Sequence, residues 1–219
     1  SPTRRLVDAD MSFHAIREYA PGDARRQIHW KSTAKTGRLM VRQYEESRRS
    51  RMAVILGVSQ SEYLDVDEFE LAVSCAASLG LRAVRDARAV AIGTGSEIPR
   101  VVRGRLRAIR HIPAASSRSM LDGFSGIELL ENTMRVVDVC RLTAESGERL
   151  SIAFVVVGST VHLARLQQAA LAFPVDAAVF GVICDERAHP RVQQLSGVTV
   201  LTVGTLDDLS GLLLRGATA

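Results

Sequence analysis

The sequence predicts a three-layer α/β domain built on a mostly parallel sheet, preceded by a short strand-and-helix extension. Three observations carry this. Residues 52–58 (MAVILGV) form an unbroken apolar run, as expected of a strand that helices cover on both faces. Residues 67–86 follow with apolar side chains at helical spacing, among them Phe69, Val73, Ala76, Leu79 and Ala83, and residues 88–93 return as a strand. Strand, helix, strand with short links is the unit of a parallel sheet. The alternation then recurs: apolar runs at 150–157, 176–184 and 198–203 are separated by helical patterns.

Taken in order, residues 1–16 are polar and irregular and read as a linker or a strand fragment. Ala20-Pro21-Gly22-Asp23 reads as a tight turn, because proline presets φ and glycine tolerates a positive one. Asp23 is then expected to cap a helix over 24–36 that stops at Gly37. That helix carries Arg25, Arg26, His29, Lys31 and Lys35 with few apolar residues, so it would dock through isolated anchors such as Ile28 and Trp30. Arg26 precedes Trp30 by four residues, the spacing that lays a guanidinium on an indole. Residues 39–44 read as a strand and 45–49 as a charged link, which divides the chain into a segment 1–50 packed on a main domain 51–219.

Within the main domain, residues 98–102 and 106–109 suggest a hairpin, 115–125 a turn-rich loop or broken helix, and 126–144 a helix. A helix over 162–173 follows Gly158-Ser159-Thr160, and a closing helix over 206–215 is introduced by Thr205 with Asp208 three residues on.

Charge is placed unevenly. Residues 1–51 hold twelve Lys+Arg against six Asp+Glu, and the rest of the chain holds sixteen against eighteen. The first quarter is therefore the basic part. Two readings stand: a face for an anionic partner, or a solvated edge paired with Glu18, Asp23, Glu45 and Glu46. No run of eighteen uncharged apolar residues is present, and the chain opens on Ser1-Pro2, so it reads as an excised soluble fragment. Cys75, Cys140 and Cys184 are widely spaced in apolar settings, which suits buried thiols better than disulfides or a zinc site.

The string from Arg17 to Glu45, REYAPGDARRQIHWKSTAKTGRLMVRQYE, resembles the signature of a bacterial family known as domain-of-unknown-function family 58. That family is similar to von Willebrand factor A domains, is usually tethered by membrane helices, and is often encoded beside MoxR-type AAA+ ATPases. The resemblance implies a von Willebrand A-like, Rossmann-type fold. It also implies a full-length protein associated with the membrane, with this domain in the cytoplasm, and a MoxR-type ATPase as partner. Arg17, Asp23, Arg25, Arg26, His29, Trp30, Lys31 and Arg38 are the residues of this segment expected to meet the partner.

In open parallel sheets ligands sit beyond the carboxyl ends of the strands. Here the loops at Ser59-Gln60-Ser61, near Ser125, and at Gly158-Ser159-Thr160 qualify. In von Willebrand A-like proteins these loops hold a divalent cation through Asp-x-Ser-x-Ser, a hydroxyl from the second loop and an Asp from the third. This chain reads Gly57-Val58-Ser59-Gln60-Ser61, with glycine in the aspartate's place, and has Gly158 and Ser159 in the third loop. Hydroxyls alone bind magnesium weakly, so Ser59, Ser61, Ser125 and Ser159 read as a degenerate metal or anion site. No cofactor is expected; magnesium would need a carboxylate from elsewhere, such as Asp65, Asp67 or Asp122.

The chain has no G-x-S-x-G elbow and no phosphate-binding G-x-x-x-x-G-K-[ST] loop, and Gly93-Thr94-Gly95 lacks the later glycine of a dinucleotide site. His14, His111, His162 and His189 show no ligand spacing. The expected function is a non-enzymatic interaction module. The alternative is a Rossmann-like binder or enzyme for a phosphate-bearing ligand in the Ser59, Ser61, Ser159 cleft. Specific nucleic-acid binding is not expected, since few aromatics are available for stacking on bases.

Overall fold

The computed structural model describes residues 13–21, 28–44, 51–98, 108–146 and 149–216. The chain divides into two compact units, Ser1–Arg49 and Ser50–Ala219.

In the first unit, β1 (Phe13–Glu18) and β2 (Met40–Tyr44) pair antiparallel, with Arg17 opposite Val41. Ile28 bridges Val41 from the other side, and the His29 amide donates to the Met40 carbonyl at 2.7 Å. These bonds hold the chain extended through Ile28, so the helix α1 (Trp30–Thr36) begins later than the sequence predicts. His29, not Asp23, stands at its N-terminal boundary; Asp23, Arg25 and Arg26 lie outside the described residues. The stop is where expected, since Gly37 is left-handed (φ 69°) and its amide donates to the Thr33 carbonyl.

The second unit is a seven-stranded sheet in the order β5-β4-β3-β6-β7-β9-β8. Its parallel centre is β4 (Val90–Gly95), β3 (Arg51–Leu56), β6 (Leu150–Gly158), β7 (Ala178–Cys184) and β9 (Val198–Val203). Antiparallel strands close both edges: β5 (Ile109–Ile112) on β4 and β8 (Arg191–Leu195) on β9. The fold is the three-layer, mostly parallel α/β architecture that the apolar runs predict.

Side chains of successive sheet residues leave by opposite faces, and this sorts the core. Val54, Leu56, Phe154 and Val156 pack under α2 (Val66–Arg85), α3 (Ser117–Ser125) and α6 (Leu206–Gly216). Ala53, Ile55, Ala153, Val155 and Val157 pack under α4 (Val136–Glu145) and α5 (Leu163–Ala170). Helix α2 buries Phe69, Ala72, Ala76, Leu79 and Ala83 at spacings of three and four.

Two expectations need correction. Residues 115–125 hold a regular helix, because Ser116 and Ser119 close a reciprocal capping box. The helix expected over 126–144 begins only at Val136: residues before it leave the helical path as Leu130 exchanges backbone bonds with Val58 and Gln60 and Thr133 bridges Glu97. The hairpin expected over 98–109 falls mostly on residues outside those described, and the strand on this edge is Ile109–Ile112. Strand β8 has no apolar run: Arg191, Gln193 and Gln194 are the composition of an edge strand. The closing helix carries its expected cap, with Asp208 Oδ2 accepting from the Thr205 amide at 2.8 Å.

Candidate functional site

The strand order places β3 next to β6, with the chain winding outward from both, so the crevice beyond Leu56 and Gly158 is the topological switch point of the sheet. The loops that the sequence selects do meet here. Ser59 Oγ and Ser61 Oγ lie 2.9 Å apart, and Thr160 Oγ1 donates to the Ser61 carbonyl at 2.9 Å. Ser125 does not join them; it ends α3 and donates to the Asp122 carbonyl at 2.8 Å.

Two residues that the sequence reading passed over dominate the crevice. Glu62 and Glu68 are only 4% and 3% exposed. Glu68 accepts three hydrogen bonds, from Ser159 Oγ at 2.6 Å, the Ser159 amide at 3.1 Å and the Leu64 amide at 3.0 Å. One carboxylate thus fastens the loop after β6 to the loop before α2. Glu62 Oε1 accepts from the Val136 amide at 2.7 Å, satisfying one of the free amides that begin α4. Its other oxygen, Oε2, is buried without a hydrogen-bond partner.

The carboxyls stand where the expected ion ligands would have been. A Cβ on Gly57 would collide with Glu62 Oε2. A Cβ on Gly158 would lie 2.5 Å from the Glu62 carbonyl, 2.5 Å from the Tyr63 ring and 2.9 Å from Glu68 Oε2. Tyr63 completes the seal by donating to the Gly57 carbonyl at 2.7 Å. Burial raises the Glu62 pKa to about 7, against the lowering effect of the Val136 and Ser59 backbone and of Arg135. Burial likewise raises the Tyr63 pKa.

This donor set fits magnesium poorly, since the ion needs several hard oxygens, one or two of them anionic. Glu68 accepts three hydrogen bonds, Asp65 caps α2 through the Glu68 amide and pairs with Arg187 at 3.0 Å, and only the buried Glu62 Oε2 is left as an anionic oxygen. The described residues hold no group of three or more His, Cys, Asp or Glu suited to a metal. Cys75, Cys140 and Cys184 are buried free thiols.

The residues of the first unit expected to meet a partner are differently placed. Trp30, expected to be an anchor, is 66% exposed. Lys31 and Arg38 are exposed too, with Arg38 Nη1 on Glu18 Oε1 at 2.8 Å, and Arg17 donates to the Glu18 carbonyl at 2.9 Å. His29 Nδ1 lies 2.8 Å from Ser32 Oγ, an interaction across the first turn of α1. Residues 15–119 match the family model described as "Protein of unknown function DUF58". The DUF58 match runs from within β1 to the first turn of α3, so it takes in Trp30, Gly57, Glu62 and Glu68 but ends before Gly158. No curated protein matches the chain. Among solved structures it is similar to a von Willebrand factor type A protein from Catenulispora acidiphila, at 13% identity and a TM-score of 0.46, over 77% of this chain and 42% of that one. The chain thus spans less than half the length of that structure.

Proposed function

We propose that this chain is a non-enzymatic protein-interaction module of a membrane-tethered protein, and that it serves a MoxR-type AAA+ ATPase as partner or adaptor. The observation that carries the reading is Trp30, the single tryptophan of the chain, which stands 66% exposed inside the DUF58 match. Leaving so large an apolar surface in water forgoes a couple of kcal/mol of burial on the order of what a full aromatic contributes, ~2 kcal/mol. Tryptophan and arginine are the residues most enriched at binding hot spots. Exposed Lys31, Lys35 and Arg38 surround it in sequence, a setting that favours an acidic surface on the partner.

The crevice supports the non-enzymatic part. Its hydroxyls bond each other or Glu68, and its carboxylates hold loops together, so no nucleophile stands beside an available base. For the same reason Ser59, Ser61 and Ser159 together offer a phosphate-bearing ligand a single free hydroxyl donor, which weighs against the alternative reading at those hydroxyls. No helix among the described residues is long and apolar enough to cross a membrane, so the tether is part of the proposal.

The experiment is a pull-down of the full-length protein with a MoxR-type AAA+ ATPase from the same organism. Trp30→Ala and the double variant Arg25→Glu/Arg26→Glu should each abolish capture while the protein remains folded. Normal capture by both variants would remove this segment as the contact, and no capture by the parent would end the proposal.

A further inference from the structure

At the carboxyl end of the sheet, on the side where α2 and α6 begin, apolar side chains stand in solvent: Leu64, Val66 and Leu206 are all exposed. The fold holds them there. The Leu64 amide is fixed on Glu68, Asp65 caps α2 between Leu64 and Val66, and Arg187 in the loop after β7 reaches Asp65 at 3.0 Å. Gly204, just before α6, packs so closely on the same β7 loop that a Cβ would stand 3.1 Å from the Ala188 carbonyl and 3.4 Å from that of Asp185. Three loops are thus tied together with apolar residues left outside.

We infer that this surface receives the Trp30 face of a second copy of the chain, so that copies associate head to tail. Charge names the occupant. Residues 64–70, 185–191 and 204–208 carry eight Asp or Glu against two Arg, and Asp67, Glu70, Glu186 and Asp207 are exposed and make no ion pair among the described residues. The face of α1 is the converse. Trp30 and Leu39 are exposed apolar residues, and Lys31, Lys35 and Arg38, the last shared with Glu18, are exposed beside them in sequence. Trp30 and Ala34 are four residues apart, as are Lys31 and Lys35, so the tryptophan and the lysines lie along adjoining sides of one helix. A basic apolar face and an acidic apolar surface on the same chain complement each other.

Two unlike surfaces make a heterologous contact. Each copy uses one face for the copy ahead and the other for the copy behind, so association continues past the dimer into rings or filaments. Patches of a few side chains bind weakly, which makes the association transient and sensitive to salt. The inference does not rest on the proposed ATPase, but it bears on it: a copy whose Trp30 is covered by a neighbour has no such face to offer.

The test is sedimentation velocity of the 219-residue chain, with no other protein present, over a series of concentrations. The parent should grow heavier than its 23.8 kDa monomer as concentration rises, and return to it in roughly half-molar salt, where screening acts within a few ångströms. Trp30→Ala/Lys31→Glu spoils one face and Leu64→Ser/Val66→Ser the other, and each should weaken association by about tenfold or more. An equimolar mixture of the two variants should form a dimer and stop there, because one sound copy of each face remains. Leu171→Ser, at an exposed leucine just past the end of α5 and at the opposite end of the sheet, should assemble like the parent. Should the Leu64/Val66 variant fail to fold, Asp67→Lys/Asp207→Lys carries the same prediction. A parent that stays monomeric at every concentration, association that survives both double variants or is lost with Leu171→Ser, or a mixture that does not dimerise would overturn the proposal.

Discussion

The Glu62 carboxyl fills the volume into which any side chain on Gly57 would project. Glycine at one position and glutamate five residues later are therefore two halves of one arrangement. The same holds across the crevice, where the hydrogen of Gly158 leaves room for the Glu62 carbonyl, the Tyr63 ring and Glu68. The loops at this end of the sheet are packed together, with carboxylates that accept from backbone amides.

Glu62 makes stability depend on pH in a direction opposite to that of an ordinary carboxylate. Its folded pKa is raised from 4.5 to about 7, so between these values the folded protein holds a proton that the unfolded chain has released. Stability should fall as pH rises through this window, by about 3 kcal/mol in all, and level off above it. Urea denaturation at a series of pH values measures this. Glu62→Gln should lose most of the decline.

The two crevice glycines should differ in cost. Gly158→Ala drives a methyl into the Glu62 backbone and the Tyr63 ring, neither of which can swing aside, and should destabilise by about 3 kcal/mol. Gly57→Ala meets chiefly the end of the Glu62 side chain, which can move by giving up its bond to Val136, and should cost about half as much. Thermal melts of the two variants rank them directly.

Trp30 offers a readout of the first unit. At 66% exposure its fluorescence should be red-shifted and open to iodide quenching in the free protein, and Trp30→Ala should cost less than about 1 kcal/mol. Binding of the proposed partner should shift the emission to the blue and protect it. A quenching-resistant tryptophan in the free chain would show that it is an internal anchor after all.

The parallel core was legible because strands buried on both faces are written as continuous apolar runs, as in residues 52–58 and 150–157. Strand β8 was not, since an edge strand of Arg, Val and Gln gains little by burial and has no such mark. The start of α1 was missed because Pro21, Gly22 and Asp23 signal a turn and cap, whereas the pairing of Ile28 with Val41 is decided by residues more distant in sequence. At the site, the vacancy at Gly57 was visible and its occupant was not. Glu68 did leave a signal: it stands three and four residues before Leu71 and Ala72 and seven before Cys75, on the buried stripe of α2, and three after Asp65 in a capping pattern. Glu62 left none, because only the approach of α4 from residue 136 gives its carboxyl a partner.

Whether the crevice is sealed is settled most directly by a crystal structure of the chain grown in millimolar manganese, with anomalous data collected to locate the ion. The account predicts no anomalous peak between Ser59 and Ser61, with Glu62 on the Val136 amide and Glu68 on Ser159. An octahedral ion held there by both serine hydroxyls and a displaced Glu62 would contradict it.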